Sequence, residues 1–272
     1  MDTQACARST LLALTTAAFF AGNTAVATPL PSGWTCFNTN GEQCGTIGAN
    51  GDIPLSPLGG ALFGGQHGYV ITRGEAVGIN YGLGLGDEAN GGVARSPVFT
   101  ANVGDKLEYY FNFVSSDGED EFIEVLDYAW VRLLDSAMSP VAMLFTARVY
   151  TDPKQNTVPG WGMPSLASGA SLSPTTSVVD PKVTWSPLGT DSGKCGGAGC
   201  GNTGWIAMDY TFTKAGDYIL GFGVSNWSDN IGDSGLAFDG TLVPVPEPET
   251  YAMMLAGLGL LTWVAHRRQI RL

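Results

Sequence analysis

The chain has few of the side chains on which most enzymes depend. Histidine occurs twice in 272 residues, and His266 lies near the C-terminus, which leaves His67 as the one histidine of the central region. Charged residues make up 14% of the sequence, and 13 lysines and arginines stand against 25 aspartates and glutamates. A net charge of −12 disfavours binding to nucleic acid or to an anionic membrane surface. We therefore expect a protein that is not an enzyme and holds no organic cofactor.

Glycine is abundant where charge is scarce. The chain contains 38 glycines and 15 prolines, a composition typical of secreted β proteins that have many turns. The length suits one large domain with a sizeable core. Composition thus favours an extracellular β-rich domain over a cytoplasmic helical one.

Residues 1–27 have the features of a secretion signal. Arg8 precedes the apolar run 11–21, and the small residues Ala25 and Ala27 flank Val26 in a pattern that signal peptidase accepts. The run is short for a membrane span, so we predict cleavage after Ala27 and a mature chain that begins at Thr28. An N-terminal core helix or anchor is the alternative.

The segment 244–272 combines a short proline-rich motif, an apolar helix and a basic tail. The prolines prevent a helix from continuing out of the body. The apolar stretch 251–265 is long enough for a short membrane helix, and the basic tail 266–272 holds its end in the cytoplasm. The motif and the arginines that close the segment are Val245, Pro246, Glu247, Pro248, Arg267 and Arg268.

These three parts, in this order, resemble the PEP-CTERM sorting signal. The resemblance implies recognition by exosortase, a membrane enzyme of Gram-negative bacteria that make extracellular polysaccharide. It also implies transient anchoring in the inner membrane, followed by delivery to the cell surface or extracellular matrix. An ordinary C-terminal anchor that stays attached is the alternative.

Residues 28–243 form the body, which contains nine lysines and arginines and 22 aspartates and glutamates. Its four cysteines, an even number in an oxidising compartment, predict two disulfides. Local pairing of Cys36 with Cys44 and of Cys195 with Cys200 is the most economical, although pairing between the two sets stays open. A zinc site is disfavoured because neither pair has Cys-x-x-Cys spacing or a histidine nearby.

The hydrophobic pattern of the body has a period of two. Apolar residues alternate along 107–113, which predicts a strand with one buried face, and 234–239 predicts a closing strand. Residues 122–134 also fit a helix, but the second half of this segment favours a strand.

Two β-hairpins are predicted from pairs of alternating segments. The first joins 129–133 to 141–149 through the turn 135–140, and the second joins 206–212 to 218–224. Residues 151–204 are rich in Pro, Gly, Ser and Thr, and are either a functional loop or a set of short edge strands. The fold prediction is therefore all-β: an antiparallel two-layer β-sandwich, jelly-roll-like, with a long loop-rich insertion, a signal helix before it and a membrane helix after it.

Several short segments of the body also resemble an uncharacterised group of PEP-CTERM ectodomains. The group has no known activity, so the resemblance implies architecture and sorting only. The segments are 116–118, 127–135, 185–189, 200–205, 226–229 and 234–239.

Carboxylates give the body its one candidate cofactor, a structural calcium ion. Asp117, Glu119 and Asp120 are the candidate ligands, because calcium prefers several oxygen ligands from one loop. A second acidic set comprises Asp229, Asp233 and Asp239. The first set lacks EF-hand spacing, and an ordinary solvated surface is the alternative.

Tryptophans supply a candidate carbohydrate surface. Trp161 and Trp227 are the candidate ligands, since exposed indole rings stack on sugars, whereas burial in the sandwich core is the alternative. We therefore predict an exported structural or adhesive protein of a polysaccharide-rich biofilm. A carbohydrate-binding module is the second hypothesis, and a matrix glycoside hydrolase that uses paired carboxylates is the third. The partners expected are signal peptidase, exosortase and extracellular polysaccharide.

Overall fold

The computed structural model describes residues 25–37, 43–72, 82–118, 126–149, 155–176, 179, 181–241 and 255–258. Within these ranges the chain forms thirteen strands and two short 3₁₀ helices, Ala61–Phe63 and Ser186–Asp191. The strands are β1 (Thr35–Phe37), β2 (Cys44–Ile47), β3 (His67–Ile71), β4 (Glu88–Arg95), β5 (Phe99–Ala101), β6 (Lys106–Ser115), β7 (Tyr128–Asp135), β8 (Pro140–Arg148), β9 (Ala170–Ser173), β10 (Gly201–Asn202), β11 (Ile206–Thr211), β12 (Gly216–Trp227) and β13 (Ser234–Gly240).

The strands form two antiparallel sheets, which confirms the predicted two-layer β-sandwich. Sheet A has the order β2-β3-β13-β6-β11-β9, and β10 also pairs with β6. Sheet B has the order β1-β4-β12-β7-β8, and β5 also pairs with β12. The central strands of the two sheets are therefore β13 with β6, and β12 with β7.

Aromatic rings from both sheets fill the space between them. Phe222 of β12 stacks on Phe238 of β13 with ring centroids 4.1 Å apart, and Phe111 of β6 meets Phe145 of β8 at 4.8 Å. The predicted strand 107–113 is confirmed in β6, whose apolar residues at every second position are fully buried. Alternate residues of a strand point to opposite faces, so this period-two pattern places one face in the core.

The first predicted hairpin is confirmed and the second is wrong. β7 and β8 pair around the turn, with Leu133 opposite Ala142. β11 pairs with β6 and β9 in sheet A, whereas β12 lies in sheet B, so the connection between them crosses from one sheet to the other. Two strands that each have one apolar face can bury it as neighbours in one sheet or as members of two facing sheets. The alternation of apolar residues is the same in both cases, so it does not identify the partner strand.

Part of the loop-rich insertion covers sheet A. β9 is an edge strand of that sheet, as one of the two alternatives predicted. Residues further along the insertion pack on the outer face of the sheet, where Val183, Trp185 and Leu188 are buried against Ile71 and Ala237. This second hydrophobic cluster lies outside the sandwich core.

Asp239 fixes the loop that precedes β3. Its carboxylate accepts hydrogen bonds from the Ser56 hydroxyl, from the Gly60 amide at 3.0 Å and from the Leu62 amide at 3.2 Å. Asp239 is fully buried in β13, so these donors replace the water that the carboxylate loses. This residue of the second predicted acidic set therefore has a structural role in the loop.

The ends of the chain are described only in part. Thr28, the predicted first mature residue, pairs with Thr46 through two backbone hydrogen bonds of 2.8 and 2.7 Å. Residues 1–24, 242–254 and 259–272 lie outside the described ranges, so the signal helix and the membrane helix stay predictions. In the part of the chain that the structure describes, no helix has the length and apolar character needed to cross a membrane.

Candidate functional site

The two tryptophans predicted to bind sugar both contact one arginine. The guanidinium carbon of Arg148 lies 4.6 Å from the centroid of the Trp227 ring. The same guanidinium donates a hydrogen bond to the Trp161 carbonyl at 3.4 Å. Trp161 keeps 46% of its surface exposed, whereas Trp227 is partly covered. The structure therefore brings these residues to one edge of sheet B, with Trp161 as the accessible ring.

Arginine–aromatic stacking is a repeated feature of the outer face of sheet B, the side that points away from the core. Besides Arg148, Arg95 lies 4.2 Å from the Phe37 ring and Arg132 lies 4.7 Å from the Trp130 ring. All three arginines within the described ranges take part in such a stack. The described arginines of this acidic body thus lie on one face, each against an aromatic ring.

Arg95 and Arg132 line a groove whose floor is a glycine. Gly221 of β12 is the register partner of both residues, with Arg95 on β4 at one side and Arg132 on β7 at the other. Strands in a sheet are about 4.8 Å apart, so the two arginine Cα atoms lie about 10 Å from each other across the glycine. The groove has a volume of about 230 Å³, and Trp130 and Leu134 also line it.

The two arginines of this groove have unused hydrogen-bonding capacity. Among the described residues, neither guanidinium takes part in an ion pair or donates a hydrogen bond, and none of the described residues that line the groove is acidic. Burial lowers the pKa of Arg132, which remains a cation at neutral pH because arginine starts from so high a value. Sequence analysis did not single out these residues, since only the strand order brings them together.

A second glycine of β12 provides the seat for the Trp130 indole. A Cβ atom at Gly223 would overlap the Trp130 ring, whereas one at Gly221 would come no closer than 3.5 Å to Leu134. The loop beside Trp130 is fixed by Glu88, which accepts hydrogen bonds from the Tyr128 hydroxyl and the Leu85 amide at 2.8 and 2.6 Å. Burial acts to raise the pKa of Glu88, and these hydrogen bonds outweigh it and lower that pKa.

The residues predicted to bind calcium are only partly described. Asp117 is buried at the end of β6, and its carboxylate accepts a hydrogen bond from the Gly118 amide at 2.8 Å. Glu119 and Asp120 lie outside the described residues. Within the described ranges, no group of three or more His, Cys, Asp or Glu side chains is arranged to hold a metal ion. Structural calcium therefore stays a prediction.

A buried carboxylate lies near Asp117 at the start of β7. Asp127 is fully buried and accepts hydrogen bonds from the Trp227 amide at 2.8 Å and the Ser234 hydroxyl at 2.7 Å. Burial raises the pKa of Asp127 well above its usual range, and the negative charge of Asp117 adds to the rise. These contacts join the ends of β7, β12 and β13, which gives Asp127 a structural explanation.

The histidine of the body is buried between two tryptophans. The His67 ring lies 6.3 Å from the Trp185 ring and 5.5 Å from the Trp205 ring, and it is fully buried on β3. Neither of its ring nitrogens has a hydrogen-bond partner among the described residues. Burial lowers the pKa of His67 to about 4, so the ring is neutral at neutral pH.

Both local cysteine pairs lie at disulfide distance. The Cα atoms of Cys36 and Cys44 are 5.9 Å apart, and those of Cys195 and Cys200 are 5.5 Å apart. Cys36 belongs to β1 of sheet B and Cys44 to β2 of sheet A. The first disulfide therefore links an edge of one sheet to an edge of the other, which the sequence spacing alone did not reveal.

The fold and its outer face thus define a disulfide-containing β-sandwich with an arginine–aromatic surface. At the end of the chain, residues 244–268 match the PEP-CTERM protein-sorting motif. This match confirms the sorting signal predicted from the sequence. It indicates an exported protein with a C-terminal sorting region that exosortase processes.

Comparison of the whole chain with known proteins adds a distant structural similarity. A search of curated proteins finds no match. Among solved structures, the chain is similar to a cleaved adhesin domain of Lys-gingipain from Porphyromonas gingivalis, with 11% sequence identity and a TM-score of 0.30. The alignment covers 80% of this chain and 95% of that one. This similarity is too distant to transfer structural detail or function.

Proposed function

We propose that the body is a non-catalytic structural or adhesive protein of a polysaccharide-rich extracellular matrix. The observation that carries this proposal is the sorting motif at 244–268, which is typical of exported proteins. A sandwich with a disulfide between its sheets suits such a location, because the bond persists in an oxidising environment. In this role the body contributes surface and stability to the matrix.

Mass analysis of the protein from the matrix of its host tests the location. We expect a chain that begins near Thr28 and ends near the motif 245–248, because signal peptidase and exosortase each remove one end. A chain that still carries Arg267 and Arg268 would mean a membrane-anchored protein and would overturn the matrix role.

Deletion of the protein tests the structural role. We expect the deletion strain to form a less cohesive biofilm, and the full chain to restore cohesion. The matched control is a chain that ends at residue 243, which keeps the body and the signal peptide but lacks the sorting segment. Restoration by this truncated chain would contradict a role that depends on sorting.

A carbohydrate-binding module is the second candidate function. It is favoured by the 46% exposure of Trp161 beside the Arg148–Trp227 stack, because sugars bind to accessible aromatic rings. A glycan array tests it, with Trp161→Ala expected to abolish any signal that depends on this edge. Trp205→Ala is the control, since that ring packs against His67 on sheet A.

A further inference from the structure

We propose that the groove between Arg95 and Arg132 binds the carboxylate groups of an acidic polysaccharide. The name carboxylate groove is used below for the surface formed by Arg95, Gly221, Arg132, Trp130 and Leu134. That the natural ligand is an acidic polysaccharide rests on the proposed matrix function. That the groove binds carboxylates rests on the geometry of the groove itself.

The two guanidinium groups of the groove have no hydrogen-bond partner among the described residues. Arginines on a protein surface usually satisfy some of their five N–H donors with carboxylates or carbonyls of the same chain. Arg95 and Arg132 do not do so within the described residues, although the body contains 22 aspartates and glutamates. In a body this acidic, two arginines without an acidic partner, side by side on one face, leave a local site for an external anion.

The two arginine side chains are held in place before any ligand binds. Each guanidinium lies on an aromatic ring, at 4.2 Å for Arg95 on Phe37 and 4.7 Å for Arg132 on Trp130. Such stacking restricts the long side chain, so less conformational entropy is lost when an anion binds. Because neither guanidinium donates a hydrogen bond to a described residue, its N–H groups stay available for an incoming carboxylate.

The space between the two arginines can hold a ligand. Gly221 is the register partner of both residues, and the absence of a side chain there opens the groove floor. The volume of about 230 Å³ suits a single sugar ring. Trp130 and Leu134 are themselves buried and form the base of the groove, and the two arginines at its sides suit the carboxylate of the sugar. An acidic peptide would need a longer groove, and a membrane surface would need more positive charge than this acidic body presents.

Titration of the full chain, solubilised in a non-ionic detergent, with a short oligogalacturonate tests the proposal. The methyl ester of the same oligosaccharide is the matched ligand, since it keeps the sugar rings and removes the charge. We expect the ester to bind at least about tenfold more weakly, because a charge-assisted hydrogen bond is lost at each contact. Equal affinity for the acid and its ester, or no binding of either, would overturn the proposal.

Variants of the groove locate the binding site. Arg95→Gln and Arg132→Gln should each weaken oligogalacturonate binding about tenfold. Lys214→Gln is the matched control, because it removes one positive charge from the exposed turn between β11 and β12 and should leave affinity unchanged. An equal loss in all three variants would indicate a general charge effect and would contradict a defined groove.

Filling the groove separates binding from folding. Gly221→Leu keeps both arginines but occupies the space between them, so binding should be lost while thermal unfolding still shows one cooperative transition. Gly221→Ala is the fallback if leucine disturbs the strand, since a Cβ atom there makes only ordinary contacts at 3.5 Å and beyond. Unchanged binding in a folded Gly221→Leu variant would overturn the site.

A sulfated polymer defines the anion. Dextran sulfate that binds more tightly than oligogalacturonate, and loses affinity in the same arginine variants, would overturn the assignment to carboxylates. Because these measurements need no host cell, their failure leaves the matrix role intact. A failure of the biofilm experiment, in turn, leaves the binding result intact.

Discussion

On each outer face of the sandwich a tryptophan ring packs on a glycine of the central strand, but only one of the two faces is covered. On sheet A, the Trp185 indole lies on Gly235 of central strand β13, where a Cβ atom would come within 2.6 Å of the ring. On sheet B, Trp130 lies on Gly223 of central strand β12. Trp185 comes from the insertion and covers its face, whereas Trp130 comes from the adjacent strand and leaves the groove beside it open. Both faces have a glycine beneath the ring, so the segment that supplies the tryptophan decides which face stays accessible.

The largest expected effect is the loss of the cover on sheet A. Trp185→Ala removes a fully buried indole from the second hydrophobic cluster, so the free energy of unfolding should fall by about 3–5 kcal/mol. Chemical denaturation measures this change. Trp161→Ala is the matched control, because that ring is 46% exposed and its removal should cost far less. A loss after Trp185→Ala as small as that after Trp161→Ala would mean that Trp185 does not stabilise sheet A.

Acid should weaken the covered face through His67. The pKa of this ring falls from 6.5 to about 4 on burial, so the unfolded chain takes up a proton in this pH range that the folded chain does not. The contribution of His67 to the free energy of unfolding should therefore decrease by about 3 kcal/mol as pH falls from about 6.5 to 4.

His67→Phe isolates this contribution. The variant keeps an aromatic ring between the two tryptophans and should lose stability less steeply than the parent over the same pH range. Comparing the two proteins cancels the effect of Asp127, whose raised pKa acts in the opposite direction. Parallel stability curves from pH 6.5 to 4 would show that His67 is not buried in a neutral form.

The smallest expected effect is the difference in stability between alanine variants at the two glycines of β12. Gly223→Ala forces the Trp130 indole to move and should lower the free energy of unfolding by about 1–3 kcal/mol. Gly221→Ala should change it by less than about 0.5 kcal/mol, because its Cβ atom meets only ordinary contacts. Thermal unfolding of the two variants side by side measures the difference. Equal losses would mean that Trp130 is not seated on Gly223.

Sequence alternation was sufficient to predict single strands but not their partners. β6, β7, β8 and β13 lie where the period-two pattern places them, because burial of one strand face is recorded in the strand itself. The pairing of β11 with β12 was predicted wrongly, since either sheet can bury the same apolar face. The cover formed by Trp185 was missed for a related reason: it depends on a glycine some fifty residues further along the chain.

The same limit applies to the candidate site. Trp161 and Trp227 were recognisable from residue type, and their common contact with Arg148 required the structure. The groove between Arg95 and Arg132 depends on a register across three strands that no local pattern records. Arg132 on a predicted strand and the alternating glycines of the predicted strand 218–224 were visible in the sequence, but the strand that carries Arg95 was not predicted.

The position of β13 sets an order of events during export. It is the last described strand of the body in chain order, yet it lies between β3 and β6 in the middle of sheet A. Sheet A therefore cannot close until the chain has crossed the membrane as far as Gly240. The sorting match begins at residue 244, within about 14 Å of extended chain from that strand. Completion of the domain and presentation of its sorting segment are thus neighbouring steps.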